Sequence, residues 1–400
     1  MADPIDELRQ PDGLRIIQAD TDEHWQQYDA VATRSYGHPV GDIPLLRHHA
    51  DLRVAVVRGE IAAGGLSVSG HQYFGGKPVP AALLGAGCVA PEHRGSHLST
   101  RLISERLRPL QDQGAVLATL WTAATGHVQR MGWTAPVQSF SWTVPTDELR
   151  RSFTDAGYDV THGRTHHSDT LHHQIAARWN GPWQRPAWWH TWQQAKHPGL
   201  TTYEFRLPHH QVSGSLSVAF EQHSAEQRLV VHDFWADTAQ AAAAMLAFLG
   251  RHNSRIPTID FQRTALPPAP LLLHHLHRAG SVTAQAGNPW LLRVLDLREA
   301  VRLRGWPADA DLALPIEVTN HTGDATTRFT LRIHDGGGEL EPSGRPGHVT
   351  LTPGQFAVWY AGGYRTTAAA LLSGVHGSPA AVRQLVRAIS DQEPWMTDHF

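Results

Sequence analysis

The sequence has one cysteine, Cys88, in 400 residues. No disulfide can close within the chain, and nothing in the cysteine usage argues for an oxidising compartment. Lysine is almost as scarce, occurring only at Lys77 and Lys196, so arginine carries nearly all the positive charge. Arginine's planar fork suits phosphates and carboxylates, but a bias of this kind follows equally from genomic base composition. No run of about 18 apolar residues occurs anywhere. The opening MADPIDELRQPDGLR also lacks a basic start followed by an apolar run. These absences set the expectation of a soluble, cytoplasmic protein with no membrane partner. The formal net charge of -3 leaves no basic field to hold a phosphate backbone, so nucleic acid is not expected as a partner either.

What the sequence does have is enough apolar material, 41% hydrophobic against 18% charged residues, to form real cores in two to four domains of roughly 100 to 200 residues. Histidine is abundant at 28 residues, with adjacent pairs at 48–49, 166–167, 172–173, 209–210 and 274–275, so positive charge rises steeply below about pH 6.5.

Strand and helix signals alternate, predicting a mixed α/β (α+β) fold. Strands are expected at Leu14–Ile17, Leu52–Val57, Ile61–Ser69, Ala82–Val89 and Ala115–Trp121. One helix is expected over Thr21–Tyr36, and another carries Leu98, Leu102, Ile103, Leu107 and Leu110 at helical spacing. The stretch Val144-Pro145-Thr146 reads as a boundary. Beyond it come a Trp-rich helix at Trp183–Gln194, strands at Ser215–Glu221, Arg228–Phe234 and Ile256–Phe261, and an alanine-rich helix at Thr238–Leu249. After Trp306-Pro307 short alternating strands appear, Leu312–Val318, Thr327–His334 and His348–Leu351, followed by two helices. The expected domains are 1–150, 151–298 and 299–400.

The segment most informative about chemistry is the strand-to-helix junction Cys88-Val89-Ala90-Pro91-Glu92-His93-Arg94-Gly95-Ser96-His97-Leu98-Ser99. The first amides of a helix lack helical partners and sit at the positive end of its dipole, so a loop feeding them is an anion site that suits a pyrophosphate. As a bare pattern, the same residues are more often only a helix start.

Context makes more of it. Val-Ala-Pro-x-His-Arg before an amphipathic helix, then Leu117–Trp121 and Gln129-Arg130-Met131-Gly132-Trp133, resembles the GNAT acetyltransferases. More closely it resembles the Eis (enhanced intracellular survival) family of amine acetyltransferases, and the likeness runs along the chain. It includes Arg185-Pro186-Ala187-Trp188-Trp189, Val231–Thr238, Trp290–Asp296, Val358–Gly363 and the final Phe400. The resemblance implies an acetyl-CoA-binding N-terminal GNAT domain, a central GNAT-like domain without cofactor, a sterol-carrier-like C-terminal domain and a homo-hexamer. It places Cys88, Val89, Arg94, Gly95, Ser96, His97, Leu98 and Ser99 along the CoA. By position within the family it puts Tyr36, His38, Asp42, Asp233 and His399 in the amine pocket.

In that family the terminal carboxylate is the base toward the attacking amine, which falls on Phe400. A carboxyl of reference pKa about 3.5, partly desolvated beside an amine, can accept its proton. The family's general-acid tyrosine falls on Trp133, whose indole N–H donates hydrogen bonds but does not deliver a proton at ordinary pH. Two further departures lie nearby. His97 stands where the phosphate loop has glycine, with Gly95 a candidate to take over that role, and His399 stands where the family has an acidic residue. Two readings follow: N-acetylation of a primary amine of an antibiotic or other amine natural product, or a GNAT scaffold turned to other chemistry or to binding.

Other clusters read more plainly. His162, His166, His167, Asp169, His172 and His173 are of metal-ligating type, but adjacency supplies no fixed geometry, and a solvated polar loop is the simpler expectation. No metal cofactor is expected. His274-His275-Leu276-His277 reads as a surface or interface face of a helix, Cys88 as core packing, and Trp183, Trp188, Trp189 and Trp192 as core or subunit contact.

Overall fold

A computed structural model describes residues 13–223, 226–262, 265–266, 274–320, 322–389 and 392–400. The chain divides into two compact units, one made of Met1–Pro136, Trp290–Asp391 and His399–Phe400, the other of Val137–Pro289 and Gln392–Asp398.

In the first unit, β1 (Arg15–Gln18), β2 (Asp51–Val57), β3 (Glu60–Phe74), β4 (Lys77–Val89) and β5 (Leu117–Trp121) follow one another across a sheet. A sixth strand, Trp290–Val294, closes its far edge antiparallel to β5. All neighbours are antiparallel except β4 and β5. Helix α1 (Asp22–Tyr36) starts at Thr21, whose side chain accepts from the His24 amide, and ends at Gly37 in the left-handed conformation, the expected device at each end. A short helix, α2 (Ile43–His49), is capped by Asp42. Helix α3 (Leu98–Asp112) buries Leu98, Leu102, Ile103, Leu107 and Leu110 as the spacing predicted, together with Arg101 and Arg106.

The same unit holds a five-stranded sheet, in the order Gly337–Pro342, Thr326–His334, Leu312–Thr319, Val349–Leu351 and His376–Gly377. Three helices follow its fourth strand, Pro353–Tyr360, Thr367–Leu372 and Pro379–Arg387, where two were expected. The β3–β4 turn meets the chain before this sheet backbone to backbone. A Cβ on either Gly75 or Gly305 would overlap the other's carbonyl.

In the second unit, seven strands order as 283–286, 140–145, 258–261, 226–236, 212–223, 201–206 and 159–162. The strand Phe140–Pro145 pairs with Thr258–Phe261 and Thr283–Ala286. The stretch read as a boundary is therefore a strand, with Val144 fully buried. Phe140–Pro145 lies in the second sheet and Trp290–Val294 in the first. The histidine cluster is not a solvated loop either: His166–Ala176 is a helix capped by Thr165, and it buries Ser168, Leu171, His172 and Ile175. The Trp-rich helix begins only at Trp189, after the Trp189 amide bonds to the Pro186 carbonyl, while Trp183 is buried ahead of it. Residues 267–273, which precede the His274 cluster, lie outside the described residues. Among the described residues no helix is long and apolar enough to cross a membrane.

Two predictions follow. Gly75→Ala and Gly305→Ala should each destabilise the protein by about 1–3 kcal/mol through backbone overlap, and melting temperatures unchanged from wild type would refute the close approach. The second concerns His172, buried edge-on to Trp235 at 4.5 Å, where burial holds its imidazole well below the ordinary value. The unfolded chain protonates this ring below about pH 6.5 and the folded chain does not, so His172 should subtract up to about 1.4 kcal/mol per pH unit of acidification in that range. Thermal melts between pH 7 and 5 should fall less steeply for His172→Gln than for wild type; parallel curves would exclude this residue as a source.

Candidate active site

The site grows out of one strand pair. β4 and β5 are paired only over Ala81–Leu84 and Leu117–Leu120. β4 continues to Val89 bonded to β3 alone, while β5 stays paired along its whole length with Trp290–Val294, so the pairing of β4 with β5 ends at Leu84. At the parting, Ala86 and Gly87 oppose the single residue Gly65, a β-bulge with Ala86 in the left-handed conformation. A bulge bends its strand and turns backbone groups out of the ladder.

Side chains from the helices clamp this bulge. The Tyr28 hydroxyl donates to the Ala86 carbonyl at 2.6 Å, and the Tyr36 hydroxyl donates to the Gly87 carbonyl. Arg106 donates from Nη2 to the Gly85 carbonyl at 2.8 Å and to the Leu66 carbonyl, and from Nε to Ser67 Oγ at 3.2 Å. Gly64 and Gly65 make room, since a Cβ would strike the Tyr28 ring at one and the Arg106 guanidinium at the other. Burial pushes the Arg106 guanidinium down to about 10 and raises the phenols of Tyr28 and Tyr36 above their ordinary value. The sequence reading missed Tyr28 and Arg106. The available signal was an arginine set inside the apolar stripe of α3.

Phe400 lies in the same unit at Gly85, where a Cβ would overlap its ring, and it is 7% exposed. His399 sets its ring at a tilt against Trp121, the last residue of β5, at 5.8 Å between centroids. The residues expected to line the cofactor follow directly from β4. Gly95 and His97 both have positive φ, and His97 is the N-cap of α3 without giving it a side-chain cap. The first helical bond runs from the Arg101 amide to the His97 carbonyl, so the amides just before it are the open donors that a helix start leaves. Cys88 is buried, and burial raises its thiol to about 11, which removes it as a nucleophile at neutral pH.

The remaining expected site residues are placed as follows. Trp133 is 1% exposed and packs among Ala82, Leu84, Ile103, Leu107, Leu120 and Val128, with no hydrogen-bond partner for its indole Nε1 among the described residues. Tyr36 is half exposed and stacks on His38 at 5.9 Å. Asp42 accepts from the Leu45 amide at 3.1 Å as the cap of α2. Asp233 belongs to the second unit, where Arg185 forks onto it at 2.8 and 2.6 Å and reaches Asp398 from Nε at 2.6 Å. Burial alone raises the Asp233 carboxyl, and the Arg185 fork outweighs it and holds it well below the usual carboxylate range. Its charge is already matched.

Residues 17–135 match the acetyltransferase (GNAT) domain family, 181–294 match a second acetyltransferase (GNAT) domain family, and 297–397 match the sterol carrier protein domain. The chain carries two GNAT domains and a sterol carrier protein domain. It is a GNAT-type acyltransferase, and GNAT domains generally use acetyl-CoA. An uncharacterized N-acetyltransferase of Streptomyces avermitilis is 26% identical over 360 residues, 82% of each chain. Among solved structures, a GCN5-related N-acetyltransferase from Anabaena variabilis shares the fold with a TM-score of 0.84 at 22% identity, covering 97% of this chain and all of that one. Eis1 from Mycobacterium abscessus does so with a TM-score of 0.75 at 19% identity over 97% of this chain and all of its own.

The parting of β4 from β5, the bulge and the open amides all fall in the first GNAT domain. The second GNAT domain also has a parallel pair, with Leu229–Val231 beside Ile259–Phe261. Its strand runs on to Ala236 and joins the helix Ala239–Gly250 through Asp237 and Thr238 alone. Thr238 caps that helix with its own hydroxyl, and Asp237 pairs with Arg178 at 2.5 Å. No phosphate loop fits between them.

His97→Gly should relieve the left-handed strain of about 1 kcal/mol that a side chain meets there and open the loop to a phosphate. Calorimetry should show tighter CoA binding for the variant; weaker binding would make His97 a phosphate contact instead.

Proposed function

We propose that the protein transfers an acetyl group from acetyl-CoA to a primary amine of a small molecule, an antibiotic or other amine natural product, in the manner of the Eis family. The observation that carries this reading is the position of Phe400, at Gly85 where β4 parts from β5, in the same unit as the open amides at the start of α3. The N-acetyltransferase name of the Streptomyces relative and the fold shared with Eis1 support it.

In this reading Val89 and the loop hold the CoA, and the exposed side of β4 past Leu84 receives its pantetheine arm. The amine nitrogen attacks the thioester carbonyl, the C–S bond breaks, and the amine's proton passes to the Phe400 carboxylate. No side chain at position 133 protonates the departing thiolate, which takes its proton from water. Loss of such an acid lowers rates by about 10²- to 10⁴-fold without abolishing transfer, since a CoA thiolate is a tolerable leaving group. Tyr36, His38 and His399 border the amine in the first unit. The central domain takes no cofactor, a homo-hexamer is the assembly, and the compartment is the cytoplasm.

A second reading is favoured by Trp133 itself, an indole buried in the core where an acid would be needed. On that view the scaffold binds a ligand or performs other chemistry without turning over CoA. Thiol release from acetyl-CoA with a panel of amines separates the two. Adding a few residues beyond Phe400 should lower turnover by at least about 10²-fold, because an amide at that position has no basic site near neutral pH, while the fold stays intact by circular dichroism. Full turnover by the extended chain would remove Phe400 from the role of base. Absence of CoA binding at millimolar ligand would remove the acetyltransferase reading altogether.

A further inference from the structure

His197, Glu221 and His232 converge in the second unit, although nothing in their sequence spacing links them. His197 follows the helix Trp189–Lys196 as its C-cap. Glu221 lies on the strand Val212–His223 and His232 on its antiparallel partner Glu226–Ala236. The two strands are in register up to Val231 with Val218 and resume at Asp233 with Ser217, leaving His232 as the extra residue of a bulge. A bulge re-aims the side chain it carries. Here the ring is brought to 4.3 Å from the His197 ring.

The donor atoms are close to coordination distance. His232 Nε2 is 3.2 Å from Glu221 Oε1, His197 Nδ1 is 3.9 Å from the same oxygen, and all three donor atoms lie within 4.8 Å of one another. Ligands bound tetrahedrally at about 2.0–2.1 Å from a metal stand roughly 3.3 Å apart, so only a small inward shift of the His197 ring completes the set. The second Glu221 oxygen accepts from Gln262 Nε2 at 3.4 Å, an outer partner of the kind that orients a ligating carboxylate. The Glu221 side chain is 36% exposed, which leaves an entry path and a fourth position open to water.

We propose that His197, Glu221 and His232 form a binding site for a borderline divalent metal ion of the Zn²⁺ class. Two imidazoles and a carboxylate with one open position are the donor set that such ions favour over Mg²⁺ or Ca²⁺. The bound ion ties the end of the Trp189–Lys196 helix to the strand pair. It takes no part in acyl transfer, and the site stands whether or not the chain acetylates amines.

The test uses the full chain, stripped with EDTA and exchanged into metal-free buffer, then titrated with ZnCl₂ in a calorimeter beside MgCl₂. One saturable zinc equivalent is expected, and none for magnesium. That equivalent should weaken by about 100-fold or more in His197→Ala and in His232→Ala, each of which removes a direct ligand, and by at least about tenfold in Gln262→Ala, which removes the outer partner. His167→Ala is the control for adventitious binding by histidine pairs, since the His166 and His167 rings lie 3.9 Å apart elsewhere in the unit; the equivalent should survive it. Because an alanine variant can misfold, Co²⁺ added to the wild-type chain gives an independent readout, a visible absorption band of four- or five-coordinate cobalt that Zn²⁺ displaces. Zinc affinity unchanged in both histidine variants, or no saturable site and no cobalt band in the wild type, would overturn the proposal and leave the cluster a hydrogen-bonded His–Glu–His network.

Discussion

Strand β4 keeps its bond to β3 along its whole length but loses β5 beyond Leu84, and every feature of the first GNAT domain is arranged around that loss. An unpaired strand edge inside a sheet exposes donors and acceptors that must find partners elsewhere. On one edge of the bulge they are met by Tyr28, Tyr36 and Arg106, drawn from two helices, and Phe400 fills space at Gly85. The glycines at 64, 65 and 85 are consequences of this crowding, because three large side chains approach backbone that has no room for a Cβ. A buried guanidinium bonded to carbonyls is a strong but specific fastening, since guanidinium donors meet carbonyl oxygens directly while the charge itself disfavours burial.

The second GNAT domain shows what happens when the same strand arrangement is kept without the loop. Its strand Glu226–Ala236 also outruns its parallel neighbour, yet the connection to the next helix is filled by Asp237 and Thr238, which satisfy the helix start internally. Trp235, on the outrunning part of that strand, packs against Trp395 at 4.8 Å. The segment Gln392–Asp398 is fixed to this unit by the Arg185 ion pairs, by the Trp183 amide on Asp398 at 2.8 Å and by backbone bonds at Asn180. Removing Arg185 would leave two buried carboxylates uncompensated, which is the costly way to break such a network. The segment Gln392–Asp398 is thus held by ion pairs and backbone bonds, chemistry quite unlike that of the loop before α3.

Much of the fold was legible because its elements are periodic. The apolar stripe of α3, the helix expected over Thr21–Tyr36 and the strand-to-helix junction all depend on neighbours within a few residues, and local rules carry them. The misreadings share a cause. Val144-Pro145-Thr146 looked like a boundary because proline and threonine outweighed a short strand whose partners lie more than a hundred residues away. The histidine run looked like a solvated loop because its helix is stabilised by burying His172 against Trp235, a contact with no local signature.

The sequence by itself determined the α/β character and the amphipathic helix that follows the junction Cys88–Ser99. The tertiary structure alone decided that Phe400 meets Gly85, that Asp233 is matched by Arg185, that Tyr28 and Arg106 hold the bulge, and that His197, Glu221 and His232 meet at one point. The physical reason is that each of these depends on strand register and on a bulge. One inserted residue changes which side chains face one another, and that choice is made by packing between segments far apart in the chain.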